Sequence, residues 1–332
     1  MVLITGATGL VGGLLLETLI DDGTPFVAIY RSEYRKDQLL SALKKKHPKK
    51  SAAWEDIRWV KASLTDLGAL APAFEKVQWV YHCAAAVEMT EEKAPELIKT
   101  NAEGTANIVN LCLKYGVKKL AFVSSVAALG NESQDAVLRE ETPWNNDTPR
   151  TAYSYSKRQA LLEVWRGAQE GLDVVIVHPG VILGNSHRTG PLQKAIAYAS
   201  RKKYYYTDGS TGFVSVDDVV TVLHSLMKSP LKNQDFVLVA ENSSYKNFLE
   251  KLIQTHQLPG RGKHLSKGVL KGLWLVDSVL ALLRIKPKTL SKGLVQTLSE
   301  TSTYDGQKIL AALPKFGYQP LEATLIEVIK KD

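Results

Sequence analysis

Short apolar runs recur along the first half of the chain, one opening at Val2 and others at Phe26–Ile29, Ile57–Val60, Trp79–Cys83, Leu120–Val123 and Val174–Val177. Stretches with apolar residues at helical spacing lie between them, the first carrying Leu14, Leu15, Leu16, Leu19 and Ile20. A run that is apolar at nearly every position is buried on both faces. Its alternation with helices predicts a parallel sheet covered by helices on both sides. No internal repeat or low-complexity segment interrupts the pattern. Beyond Leu183 the order is less regular, and from Tyr245 onward helical patterns dominate, including Lys267–Arg284, Tyr304–Leu313 and Leu321–Lys330.

Composition narrows the setting. With 332 residues, 45% of them hydrophobic, the chain can bury a full core as one large or two smaller domains. Two cysteines, Cys83 and Cys112, make neither a disulfide framework nor a metal or C-x-x-C pair, which predicts a reducing, cytoplasmic setting. A strand opening at residue 2 predicts no leader segment. The apolar stretch from Val269 to Ile285 is broken by Lys271, Gly272, Asp277 and Arg284, so it reads as a helix with one buried face. Stable membrane insertion is not expected, and attachment to a membrane surface is the lesser reading. The net charge of +8 raises the question of nucleic acid. The basic residues are scattered, however, and the one run, Lys44–Lys50, lacks interleaved aromatics and reads as a solvated loop. Nucleic-acid binding is therefore not expected.

The first apolar run leads into Thr5-Gly6-Ala7-Thr8-Gly9-Leu10-Val11-Gly12, a turn with three spaced glycines followed by a helix. Glycine is required where the chain turns sharply, where main chain must touch a pyrophosphate, and where helix and strand pack closely. A helix starting near Leu10 aims free N–H groups and its positive dipole end at an anion. Further along, Thr151-Ala-Tyr-Ser-Tyr-Ser-Lys157 opens another helix, in which Tyr153 and Lys157 share one face while Tyr155 points away. A phenol titrating near about 10 is a slow proton donor at neutral pH, and a neighbouring ammonium would lower that value. A serine hydroxyl from the fifth run, Ser124 or Ser125, would orient a carbonyl and steady an oxyanion.

These stretches together resemble the extended branch of the short-chain dehydrogenase/reductase superfamily, closest to the group holding dihydroflavonol 4-reductases, cinnamoyl-CoA reductases and 3β-hydroxysteroid dehydrogenases. The opening is similar to the family's T-G-x-x-G-x-x-G, and His82-Cys83-Ala84-Ala85 to its H-x-A-A turn under the cofactor. Asn101-Ala-Glu-Gly-Thr-Ala-Asn107 resembles N-x-x-G-T-x-N, and Pro179-Gly180-Val181 resembles a segment that packs along the nicotinamide. The resemblance, strong to residue 184 and weaker beyond, implies an α/β fold: a doubly wound parallel sheet (Rossmann fold) with a smaller, mostly helical substrate-binding cap. Residues 1–183 would form the sheet domain, with 213–240 returning to it, and 184–212 and 241–332 the cap.

The same resemblance implies the site. Aligning the family's F-x-S-S run makes Ser125 catalytic beside Tyr153 and Lys157, and in relatives this lysine also bonds the nicotinamide ribose. Asn101, unusual inside a helix, either places active-site backbone or a relay water, or scaffolds a buried network. Cofactor contacts would come from Thr5, Gly6, Thr8, Gly9, Leu10, Val11, Gly12, Ser63, Leu64, Cys83, Ala84, Ala85, Ser124, Tyr153, Lys157, Pro179, Gly180 and Val181, with no metal. Ser63 stands where relatives often carry an acid next to the adenine, and Asp66 reads as a helix cap. After the second run, Tyr30, Arg31, Ser32 and Arg35 replace the acid that would select NAD. A guanidinium there can grip a 2′-phosphate, so NADP is expected over NAD. His82 and His178 are read as structural. Arg201–Gly212 reads as an aromatic loop, either lining a pocket or exposed, and Asp217 or Asp218 as the cap of the next helix.

The implied reaction moves a hydride between nicotinamide and a ketone, aldehyde or secondary alcohol. A small-molecule substrate is the expected partner, with helices 95–115 and 153–170 pairing across a dimer axis in some relatives. A nucleotide-sugar epimerase or dehydratase is the alternative within the superfamily, opposed by Leu129 where such enzymes usually show tyrosine. A non-catalytic NADP-sensing regulator is the alternative of another class, opposed by the serine, tyrosine and lysine together.

Overall fold

Seven strands, every neighbouring pair parallel, make the main sheet: β1 (Val2–Thr5), β2 (Phe26–Tyr30), β3 (Arg58–Lys61), β4 (Trp79–His82), β5 (Lys119–Val123), β6 (Asp173–Pro179) and β7 (Gln234–Leu238). The computed structural model describes residues 1–87, 93–130, 137–184, 191–282 and 290–330. Across the sheet the order is β7-β6-β5-β4-β1-β2-β3, with Ile4 beside Ala28 on one side and Tyr81 on the other. The chain runs outward from β1 to β3 and then returns to β4. That reversal leaves a crevice beyond the carboxyl ends of β1 and β4, the place where such sheets bind ligands.

Alternate strand residues feed two cores. Val2, Ile4 and Ala28 pack with the helices α1 (Leu10–Asp21), α2 (Glu33–Lys46) and α5 (Val216–Lys228). Leu3, Val27 and Ile29 pack on the opposite face with α3 (Gly104–Lys114) and α4 (Ala152–Gln169). Both faces are therefore apolar, which is why the strands read as continuous hydrophobic runs. The seventh strand escaped the sequence pattern because Gln234 and Asp235 begin it, yet Gln234 to Leu238 pair residue by residue with Val175 to Pro179.

After β6 the chain adds a three-stranded sheet in which Ser210–Ser215 lies between Val181–Leu183 and Glu241–Ser244. The aromatic segment expected as a loop instead contains a strand, Lys203–Tyr206, paired in parallel with Arg261–His264. Tyr204 explains this: its ring is buried in the local apolar cluster, anchoring what polarity alone would have left free. Ser215, not Asp217 or Asp218, caps α5, accepting from the Asp218 N–H at 2.9 Å, while the Asp218 carboxylate accepts from Gln319 N–H at 3.0 Å. The Lys44–Lys50 run is not a loop either. It ends α2 and enters a short 3-10 turn, with Lys44, Lys46 and Lys50 paired to Glu55, Glu17 and Asp21. Tyr304 is extended rather than helical, pairing with Leu138. Helix α6 (Lys267–Leu282) forms as expected, but most of its apolar side chains face outward; Arg284 lies outside the described residues.

Candidate active site

The turn after β1 is built for close approach. Gly6 has φ +69, and a Cβ there would sit 2.6 Å from Ala84 N; one on Gly12 would sit 2.2 Å from Gly6 O. Gly9 precedes α1 in extended backbone with no side chain capping the helix, so the first amides of α1 are left for an outside acceptor. Thr5 is turned inward. Its hydroxyl meets His82 Nδ1 at 2.7 Å and accepts from Ala84 N–H at 3.2 Å. The other His82 nitrogen meets Thr105 Oγ1 at 2.9 Å, and the ring stacks on Phe122. Burial, helped by the Lys157 ammonium, pushes this imidazole down to about 3, so it stays neutral and structural.

The helical run beneath these loops is continuous from Ala94 to Lys114, but its middle turn, Lys99–Glu103, is a wider π turn. Such bulges gather at functional sites because they re-aim one side chain. Here it is Asn101, 2% exposed. Its Oδ1 accepts from Ala86 N–H at 2.7 Å, and its Nδ2 donates to Ala86 O at 3.0 Å and to Ser156 Oγ at 2.9 Å. Ser156 in turn donates to Tyr153 O at 2.8 Å. Asn101 thus ties the loop after β4 to the helix that carries Tyr153. The rest of its segment follows suit. A Cβ on Gly104 would sit 2.6 Å from Leu64 Cβ, Thr105 holds His82, and Asn107 donates to Leu64 O at 2.9 Å. One helix thereby fixes the loops after β3 and β4 and the helix carrying Tyr153.

Thr151 caps α4, accepting from Ser154 N–H at 3.1 Å. The Tyr153 phenol faces the Ser125 hydroxyl, which favours its ionised form. One turn on, Lys157 is 2% exposed and donates from Nζ to Val123 O at 2.8 Å. Burial pulls the Lys157 ammonium down to about 8, with Cys83 opposing. Burial also raises the Tyr153 phenol above its ordinary value, and the Ser125 hydroxyl opposes it only in part. The acidification of Tyr153 by Lys157 that the sequence suggested is therefore not what this arrangement shows: desolvation wins, and the ammonium is engaged by a carbonyl of β5. Burial lifts the Cys83 thiol to about 12, so it is no nucleophile. Ser124 is buried with its N–H on Val177 O at 2.8 Å, and its hydroxyl meets no partner among the described residues. Tyr155 faces away, its ring edge-on to Trp144. Gly180 serves packing as well as access, since a Cβ would sit 2.3 Å from Gly212 O. Its neighbours place Pro179 at the end of β6 and Val181 at the start of the next strand.

At the end of β2, Arg31 is exposed, and the Ser32 hydroxyl caps α2 by accepting from Arg35 N–H at 3.4 Å. An acid does stand here, contrary to the sequence reading. Glu33 accepts from the Tyr30 phenol and pairs with Lys36 at 2.6 Å and Lys61 at 3.9 Å. Lys36, and next the Tyr30 phenol, hold its carboxyl below the usual range. Asp66 caps Leu67–Leu70 as expected, and Ser63 bonds Thr65 Oγ1 at 3.0 Å. His178 is buried against Asp235 at 3.0 Å. Sequence reasoning also passed over Arg150, immediately ahead of the α4 cap. Its guanidinium stacks 4.4 Å from the Trp144 ring and donates to Leu129 O at 3.3 Å, while Nε and Nη2 find no partner among the described residues. The signal available was an arginine abutting the tyrosine helix.

A family model described as the NAD dependent epimerase/dehydratase family matches residues 2–238. The chain belongs to that family. It is thus an NAD(P)-dependent oxidoreductase, as its motifs implied. Its similarity to a putative dihydroflavonol 4-reductase of Synechocystis sp. is 27% identity, covering 93% of this chain and 88% of that one. An anthocyanidin reductase of Arabidopsis thaliana is 25% identical over 76% of this chain and 79% of its own. In fold, the chain matches a UDP-glucose 4-epimerase of Thermotoga maritima with a TM-score of 0.75 at 20% identity, covering 99% and 98% of the two chains. The turn fits the dinucleotide that the family's name requires, because Gly6 and Gly12 let main chain pack where a Cβ would clash and the first turn of α1 is left without a side-chain cap.

Proposed function

We propose that this enzyme reduces a ketone or aldehyde to the alcohol, or runs the reverse, with NADP as its dinucleotide. The observation that carries the reading is the approach of the Ser125 hydroxyl to the Tyr153 phenol, brought from different elements, with the buried Lys157 one turn on. A bound nicotinamide supplies or accepts the hydride. The cradle of Gly6, Gly9 and Gly12 with the first turn of α1 would hold its pyrophosphate, and the segment from Pro179 to Val181 would flank its ring.

Tyr153 performs the proton chemistry. Raised by burial, its phenol keeps its proton across the neutral range, which suits a general acid in carbonyl reduction. The proton passes from the phenol oxygen to the oxygen of the developing alkoxide, a far stronger base than phenolate. Ser125 holds that oxygen by hydrogen bond. The Lys157 ammonium, charged below about 8 and held by Val123 O, would bond the nicotinamide ribose, while solvent restores the proton to the phenol. Asn101 keeps the parts in register through Ser156 and Ala86. Arg31 would grip the 2′-phosphate, with Glu33 neutralised by Lys36 and Lys61. Leu129 is buried against Val237 and Val239, so no hydroxyl reaches the site from that position, which favours reduction over sugar epimerisation.

NADPH oxidation followed across aromatic aldehydes, flavonoid-like ketones, steroids and nucleotide sugars tests the reading. Turnover of a carbonyl compound is expected. Tight NADPH binding with no turnover of any of them would favour a sensor instead, and turnover of nucleotide sugars alone an epimerase. If Arg31→Ala leaves the NADPH-to-NADH preference unchanged, the NADP assignment is wrong.

A further inference from the structure

Five large apolar side chains of α6, Val269, Leu273, Leu275, Val276 and Val279, are 46–59% exposed. They share one broad side of the helix, together with Gly268 and Gly272, over which no atom lies within 4 Å. The opposite side is docked: Leu270 is 3% and Asp277 2% exposed, and the Asp277 carboxylate accepts from Leu290 N–H at 2.8 Å. A contiguous aliphatic face of this kind marks an interaction surface on an otherwise ordinary fold. The sequence reading gave this helix one buried face, with attachment to a membrane surface as the lesser reading.

The surroundings say what covers it. Lys267 and Lys271 stand exposed along one margin of the same face. The strand Arg261–His264, exposed at every residue, feeds directly into α6 and presents Arg261 and Lys263. Its partner strand brings exposed Lys203, preceded by exposed Lys202, and a half-exposed Tyr205. Asp208 lies among these cations but faces His264 at 2.9 Å. The uncharged aliphatic arc, entered by the chain through a basic ribbon with an aromatic tip, matches an anionic lipid surface in both of that surface's layers. Sixteen residues of helix span only about 24 Å, and among the described residues no helix is long and apolar enough to cross a membrane.

We infer that α6 and the Lys203–Tyr206/Arg261–His264 ribbon form a docking surface for an anionic bilayer, on which the helix lies parallel to the membrane plane. This surface stands apart from the reaction assigned above and does not depend on it.

Flotation of the full chain with vesicles of phosphatidylcholine plus phosphatidylglycerol, and of phosphatidylcholine alone, tests the inference. Binding to the anionic vesicles, weakening as salt rises, is expected, with little binding to the neutral ones. The double variant Leu273→Glu/Val276→Glu should bind at least tenfold more weakly, and Lys267→Glu/Lys271→Glu should lose most of the salt dependence, each with an unchanged circular dichroism spectrum. Equal binding by the wild type and both variants would overturn it. So would no vesicle binding by the wild type, including the case where sedimentation shows a dimer that Val276→Glu dissolves, which would make the face a contact between two copies of the chain.

Discussion

The helical run from Ala94 to Lys114 and helix α6 treat their side chains in opposite ways. In the first, polar residues go inward: Asn101, Thr105 and Asn107 each hold a loop or helix of the candidate site. In the second, aliphatic residues go outward, and the buried face includes a carboxylate. Each breaks the simple amphipathic rule. The lesson is that a breach points to function in proportion to what it touches. Inward polarity specifies a site, and outward apolarity specifies a surface.

If the inner network positions chemistry, changes there should alter activity and stability together, and Lys157→Met should do so most sharply. Activity should fall by about 10³-fold or more. Burial sets the Lys157 ammonium near 8, below its ordinary 10.5, so folding works against its charged form. That penalty is full below about 8 and fades as pH rises toward 10.5. The variant should therefore gain about 2 kcal/mol of stability at neutral pH, after allowing for the lost bond to Val123, and the gain should shrink in alkali. Urea titrations at two pH values check this, and a loss of stability at pH 7 would contradict it.

Asn101→Ala comes next. It leaves the Ala86 amide and carbonyl without their Asn101 partner and removes the donor to Ser156, which should cost about 2–3 kcal/mol and lower kcat more than it raises KM. Gly104→Ala should cost about 1–3 kcal/mol by pressing on Leu64, with weaker cofactor binding measured by fluorescence titration. Leu275→Ser on the outer helix should change the stability of the free protein by no more than about 0.5 kcal/mol. A large loss there would mean the face is covered within the molecule, and the contrast between the two helices would fail.

Much of the fold was legible because its strands are buried on both sides and so spell themselves in Val, Ile and Leu. The glycine turn was legible because the clashes at Gly6 and Gly12 leave no other residue. What escaped depended on long-range partners. The strand Gln234–Leu238 begins with polar residues and is fixed by pairing with β6. The strand of Tyr204 is fixed by burial of one ring, and the α5 cap fell to Ser215 because Asp218 is drawn to Gln319. At the site, Tyr153 and Lys157 could be placed on one face from their spacing, but their proton affinities could not, since spacing carries no information about desolvation. Glu33 was passed over because its charge matters only through Lys36 and Lys61, the latter brought in from β3.

The central claim is that the phenol of Tyr153 gives up the proton that completes reduction. Tyr153→Phe, assayed side by side for NADPH binding and for turnover of whichever carbonyl compound the wild type accepts, tests it most directly. The account predicts binding within about threefold of wild type and turnover lower by about 10³-fold. Turnover near the wild-type rate with binding intact would contradict it.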